Sequence, residues 1–165
     1  FGTWQIENDS VTGAVKAALS VGYRHIDTAA AYENECGVGK ALRESGLRRE
    51  DVFITTKIPA DVKTYEGAKS VIAASLKNLG TPYIDLMLIH WPVARKVKGR
   101  WRIMEKYVDV GKIRAIGVSN FNPHHVDELL AYARIKPVVN QIKIHPYMEH
   151  QEVVGNTFAK GIQVQ

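Results

Sequence analysis

Gly22-Tyr23-Arg24-His25-Ile26-Asp27-Thr28-Ala29-Ala30-Ala31-Tyr32-Glu33-Asn34-Glu35 is the stretch on which the fold turns. Its run 23–26 reads as a buried strand, and Asp27 sets a carboxylate just past the C-terminal end. Small residues fill 28–31, Tyr32 follows, and Glu33-Asn34-Glu35 opens a helical pattern. An acid and a phenol in one loop at a strand's end make half of a catalytic site. The fold then depends on whether other strands end in matching chemistry.

Upstream, residues 1–4 read as the tail of a strand, and Ser10 is placed to cap a helix over 11–21. Val11, Val15, Ala18 and Leu19 recur there at helical spacing, and Gly22 closes it. Downstream, a helix is expected over 34–46, then a β-branched strand over 52–56 that ends at Lys57. A helix over 64–79 carries Ala68, Val71, Ile72, Ser75, Leu76 and Leu79 on one stripe. The apolar run 84–89, the pattern of a strand buried on both faces, ends at His90-Trp91-Pro92. A helix over 101–110 and a strand over 113–118 lead to Ser119-Asn120. Asn122-Pro123 caps a helix over 123–133. A strand over 138–144 holds Asn140 and Gln141, a helix runs over 151–160, and 162–165 begins one more strand.

That alternation of strand and helix argues for an α/β fold with a parallel sheet. Seven strand starts are expected, with the polar residues Asp27, Lys57, His90 and Asn120 at or beyond strand ends and Gln141 inside the sixth. In a β/α barrel such ends converge on one mouth, where active sites lie. A doubly wound open sheet is the alternative, but its usual Gly-rich turn after the first strand is missing. The expectation is one domain over 1–165, an incomplete (β/α)8 TIM barrel.

Composition excludes little else. No run approaches the roughly 18 apolar residues that cross a bilayer, and no secretory signal is visible, so a cytoplasmic protein without membrane contact is expected. Cys36 is the single cysteine and reads as a small packed residue. The formal charge is +5, with lysine and arginine spread along the chain. The densest basic group, 95–100, reads as part of a solvated loop, so no nucleic acid is expected as partner. A mildly basic surface suits an anionic cofactor or substrate. His124-His125 have no further ligand nearby in sequence, so no metal is expected.

Singly, each strand-end residue has a packing role open to it: Asp27 as a turn cap, Lys57 on the surface, His90 in the core, Tyr32 against a neighbour. Together they make one mechanism. A carbonyl reduced by hydride becomes an alkoxide that needs a proton, and a phenol with a pKa of about 10 is a weak donor at neutral pH. A lysine ammonium nearby is expected to lower that pKa, and a carboxylate paired with it keeps it charged. A histidine orients the substrate oxygen. Tyr32 is thus assigned as general acid, Lys57 and Asp27 as its tuning pair, and His90 as the orienting group.

These motifs resemble the aldo-keto reductase superfamily. The similarity runs through 22–29 with Tyr32 and Asn34-Glu35, Thr55-Thr56-Lys57, Ile84-Asp85-Leu86, 88–92, 114–121, Asn140-Gln141 and His145-Pro146. It implies a barrel enzyme passing hydride from NADPH, or alternatively NADH, to an aldehyde or ketone. It places the tetrad on Asp27, Tyr32, Lys57 and His90. It also implies Ser119, Asn120 and Gln141, with Asp27, around the nicotinamide, and Trp4 and Trp91 beside Tyr32 and His90 in the substrate pocket. A small-molecule substrate and a monomer are the partners expected.

A full barrel of this kind takes about 250 residues, so the chain is expected to be part of a longer reductase, lacking the eighth strand and C-terminal region. The competing readings are a non-catalytic cofactor-binding barrel, such as a channel-associated subunit, and an inactive fragment.

Overall fold

The computed structural model describes residues 1–93 and 96–165. Among the described residues six strands form one parallel sheet in the order in which they occur: β1 (His25–Asp27), β2 (Phe53–Ile58), β3 (Ile84–Ile89), β4 (Ile113–Ser119), β5 (Val139–Gln141) and β6 (Gln163–Val164). Helices α1 (Asn8–Ser20), α2 (Glu35–Glu44), α3 (Tyr65–Leu79), α4 (Val97–Asp109), α5 (Pro123–Leu130) and α6 (Gln151–Ala159) alternate with them, α1 preceding β1. The seventh expected strand, 1–4, is reduced to one parallel bridge between Gly2 and Asp27. It lies along β1 through Asp27 N to Phe1 O (2.8 Å) and Thr3 N to Asp27 O (2.9 Å).

The sheet curls into an open half-barrel. Gln141 on β5 donates from Nε2 to Asp27 Oδ2 on β1 at 2.7 Å, although four strand spacings separate them. In a flat sheet that separation is about 19 Å, so only curvature brings the two ends together. Register then stacks the concave face: Asp27 pairs with Thr55, Lys57 with Leu88, Leu88 with Gly117, and Ser119 with Gln141. Gly117 is needed here, because a Cβ would lie 2.7 Å from Val139 O and 2.8 Å from Leu88 Cδ2.

The convex face packs on the helices. All six residues of β3 are buried, the outcome expected for a strand covered on both sides. Helix α1 buries Val11, Val15, Ala18 and Leu19, the stripe read from its spacing. Helix α3 buries Ala68, Ile72, Ser75 and Leu79, with Val71 and Leu76 at its margin. Thr64 caps α3 by accepting from Gly67 N, and Gly80 ends it at φ 62°. At the N-terminal end of the sheet, Asp85 ties three strands: it accepts from Ile54 N (3.0 Å), Arg49 (2.6 Å) and Arg114 (3.2 Å).

Several boundaries differ from the sequence reading. Helix α1 starts at Asn8, so Ser10 sits inside its first turn, and no side chain caps it. Tyr23 is exposed rather than in a buried strand, since β1 starts at His25. Lys57 lies within β2 rather than beyond it. The strand over 138–144 keeps three residues, Val139–Gln141. Helix α4 begins four residues earlier than expected, at Val97, so most of the basic group is helical. Its Arg95 lies outside the described residues. Arg100 within that group is fully buried, because its place on α4 turns it inward. Cys36 is exposed rather than packed.

Candidate active site

Three strand ends and one turn bring the tetrad together. Asp27 closes β1, and a 3-10 turn, Ala30–Tyr32, carries the phenol back over the mouth. Glu33 ends that turn in the left-handed region at φ 56°. Lys57 points inward from β2, and His90 follows β3 directly. The Lys57 side chain is 1% exposed and forms a short ion pair with Asp27 Oδ1. A buried ammonium needs such a partner, because desolvation otherwise costs several kcal/mol, on the order of the pairing itself. Lys57 Nζ also donates to Thr28 O at 3.0 Å and reaches the Tyr32 hydroxyl at 3.4 Å. The Tyr32 and His90 rings meet edge to face, centroids 5.7 Å apart.

The protonation states follow from burial. Tyr32 is pushed up to about 12, by burial first and by the Asp27 carboxylate second. This reverses the lowered value expected from the sequence. The Lys57 ammonium is spent largely on Asp27 and Thr28, so its pull on the more distant phenol does not win. Burial lowers the Lys57 pKa, while the charge of Asp27 and its hydrogen bond oppose the fall. His90 is pushed down to about 4 by burial, with Lys57 adding to the fall and Asp27 opposing it. At neutral pH the phenol therefore holds its proton and the imidazole is uncharged. That pair can offer an O–H and an N–H to one small acceptor.

A cavity of about 660 Å³ opens over these groups, lined among others by Trp4, Tyr32, His90, Trp91, Ser119, Asn120, Gln141 and Lys143. Trp4 and Trp91 are more than half exposed and wall it with apolar surface. The polar floor is a chain of hydrogen bonds. Asn120 Nδ2 donates to His90 O and to Ser119 Oγ, both at 3.0 Å, and Ser119 Oγ donates to Gln141 O at 3.0 Å. Asn120 manages this reach in a left-handed conformation, φ 61°, which asparagine tolerates better than most residues. The side-chain oxygens of Asn120 and Gln141 accept no hydrogen bond among the described residues. Two such acceptors fit the NH₂ of a carboxamide, so the residues present suit a nicotinamide. The Ser119 proton, by contrast, is already committed to Gln141 O.

Sequence reasoning missed four features of this site. The Thr28 carbonyl as a ligand of Lys57 has no sequence signal, being backbone. The Gln141–Asp27 bond depends on curvature. Asn120 as a clamp on the His90 carbonyl was hidden behind its turn signal. Lys143 on the cavity wall was legible, two residues past Gln141 and so on the same side of an extended segment. The His124 and His125 rings lie tilted against each other, centroids 3.9 Å apart, and His125 Nδ1 accepts from Asn122 N as part of the cap of α5.

Comparison with known proteins gives one answer throughout. Residues 1–164 match the Aldo/keto reductase family. Glyoxal reductase of Bacillus subtilis is 48% identical over 165 residues, covering 99% of this chain and 60% of that protein. An aldo/keto reductase from Brucella melitensis superposes with a TM-score of 0.96 at 42% identity, covering 99% of this chain and 65% of that one. A Bombyx mori aldo-keto reductase in complex with NADP superposes at 0.92 with 36% identity, over 100% of this chain and 60% of that one. The chain thus spans about three fifths of the length of the relatives it matches.

Proposed function

The chain belongs to the aldo/keto reductase family, and from that premise we propose that the protein reduces the carbonyl of an aldehyde or ketone with a nicotinamide cofactor, NADPH ahead of NADH. One observation carries the reading: the Tyr32 hydroxyl lies 3.4 Å from a buried ammonium that is itself paired with Asp27, on the wall of a cavity shared with His90. When bound, a nicotinamide would supply the hydride. Tyr32 gives its proton to the carbonyl oxygen as charge develops there. The Lys57 ammonium stabilises the phenolate left behind, and Asp27 holds that ammonium in place. Neutral His90 donates a hydrogen bond that orients the carbonyl. The Asn120 and Gln141 side-chain oxygens would accept from its carboxamide, with Ser119 Oγ holding the Gln141 carbonyl from behind. Trp4 and Trp91 wall the substrate.

The preference for NADPH draws support from the NADP-bound Bombyx mori relative and from the net charge of +5. The exposed thiol of Cys36 suits a reducing cytoplasm, where the protein is proposed to act as a monomer. Among the described residues no helix is long and apolar enough to cross a membrane.

The test uses the full-length protein with NADPH and a small aldehyde, glyoxal being the first choice. Tyr32→Phe is expected to lower kcat by about 10²–10⁴-fold while the nucleotide affinity, read by fluorescence titration, stays unchanged. Turnover undiminished in Tyr32→Phe overturns the assignment. A wild-type protein that binds nucleotide but turns over no carbonyl favours the non-catalytic barrel.

A further inference from the structure

Asn34 is fully buried at the N-cap of α2, where asparagine ordinarily satisfies a helix N–H. Its side chain makes no such bond. All four of its hydrogen-bonding positions are spent elsewhere. Nδ2 donates to Thr3 O and to Ile6 O, each at 2.8 Å. Oδ1 accepts from Thr28 Oγ1 at 2.9 Å and from Thr3 Oγ1 at 3.3 Å. A side-chain amide has two donors and two acceptor sites, so this one is saturated.

The two groups of partners serve opposite sides of the mouth. Thr3 and Ile6 frame the tight turn that presents Trp4. Ile6 N closes it on Thr3 O at 3.2 Å, and Gln5 adopts φ 63° to allow it. Trp4 is 67% exposed, so little but this turn fixes where its ring stands. Thr28 carries the carbonyl that accepts from Lys57 Nζ, and its N–H is held by Thr55 O at 2.9 Å. One amide therefore joins the apolar wall of the cavity to the backbone that seats the ammonium.

We propose that Asn34 is a positioning residue that fixes the Trp4 wall against the Lys57–Tyr32 pair and so sets how large a carbonyl compound the mouth admits. This rests on the reductase reading above. The forfeited helix cap is the physical argument: an N-cap asparagine ordinarily stabilises its own helix, and here the amide is directed instead to a turn whose one large side chain faces the cavity. Asn34→Asp separates the two links. It keeps both acceptor bonds, including the one to Thr28, but loses both donors to the turn and sets a carboxylate against two carbonyls.

The experiment uses the full-length protein and two readouts. Hydrogen exchange followed by mass spectrometry reports on the amides of residues 3–6. Steady-state kinetics compares a bulky aryl aldehyde with a two-carbon aldehyde too small to reach Trp4. Asn34→Asp is expected to speed exchange at 3–6 and to raise KM for the aryl aldehyde about tenfold, a misplacement effect. KM for the small aldehyde, kcat and nucleotide affinity are expected to stay within about twofold. Unchanged exchange at 3–6 overturns the link to the turn. Faster exchange with no kinetic change, or an equal loss on both aldehydes, overturns the positioning role. If Asn34→Asp does not fold, Thr3→Val removes only the weakest of the four bonds and is read in the same way, with a smaller shift of the same selective kind. A wild-type protein without turnover on any carbonyl sinks the reductase reading, while the exchange result still decides the link between Asn34 and the turn.

Discussion

Lys57 carries its ammonium into the sheet interior, and every bond it makes there has a separate consequence. Asp27 balances its charge, the Thr28 carbonyl fixes its height in the mouth, and the longer contact with Tyr32 does not offset the burial and the Asp27 charge that keep the phenol protonated. Replacing Lys57 by Met strands the Asp27 carboxylate with Gln141 as its remaining side-chain donor. That variant is expected to lose at least about 10²-fold in kcat and to melt earlier, measured by steady-state assay and thermal denaturation. His90 gives a pH prediction. An unfolded histidine takes a proton near its ordinary 6.5, whereas folded His90 takes one only at about 4. His25 is also lowered by burial. Between those pH values the unfolded chain binds more protons, so stability is full above about pH 6.5 and falls as the pH drops toward 4. Melting temperatures across that window should show the decline, and His90→Asn should make it shallower. An equal slope in the variant removes His90 from the account.

At the scale of the elements, the helices are set by close approach as much as by apolar stripes. Gly39 on α2 touches the last turn of α3, where an added Cβ would sit 2.5 Å from Leu79 O and 2.7 Å from Asn78 O. Both neighbours are backbone and cannot swing away. Gly39→Ala is expected to cost about 1–3 kcal/mol, read as a lower denaturant midpoint, even though alanine is the better helix former. An unchanged midpoint would mean that α2 and α3 can slide apart freely. Because α2 begins three residues after Tyr32, such a shift would reach the phenol, and kcat is the sensitive second readout. The stripes of α1 and α3 were legible because helical spacing shows in sequence. The start of α4 was not, since its first turn holds lysine, glycine and arginine, and Arg100 turns inward only in the folded chain.

For the whole molecule, curvature decides what can meet. The Gln141–Asp27 bond crosses the concavity and joins β5 to β1. Gln141→Leu, which cuts that bond across the mouth, is therefore expected to lower both the melting temperature and kcat, checked by thermal denaturation and by NADPH absorbance with glyoxal. An unchanged melting temperature and turnover in that variant would show that the curvature holds without the bond.

The sequence by itself determined the alternation of strand and helix, the buried central strand 84–89, and which polar residues stand at strand ends. Each of these is a local pattern of spacing and chemistry. Tertiary structure alone decided that Gln141 would bond Asp27, that Thr28 would lend Lys57 its carbonyl, and that Asn34 would forgo its cap for a distant turn. It also decided the direction in which Tyr32 titrates. Burial and long-range partners set these outcomes, and neither exists until the sheet has curled.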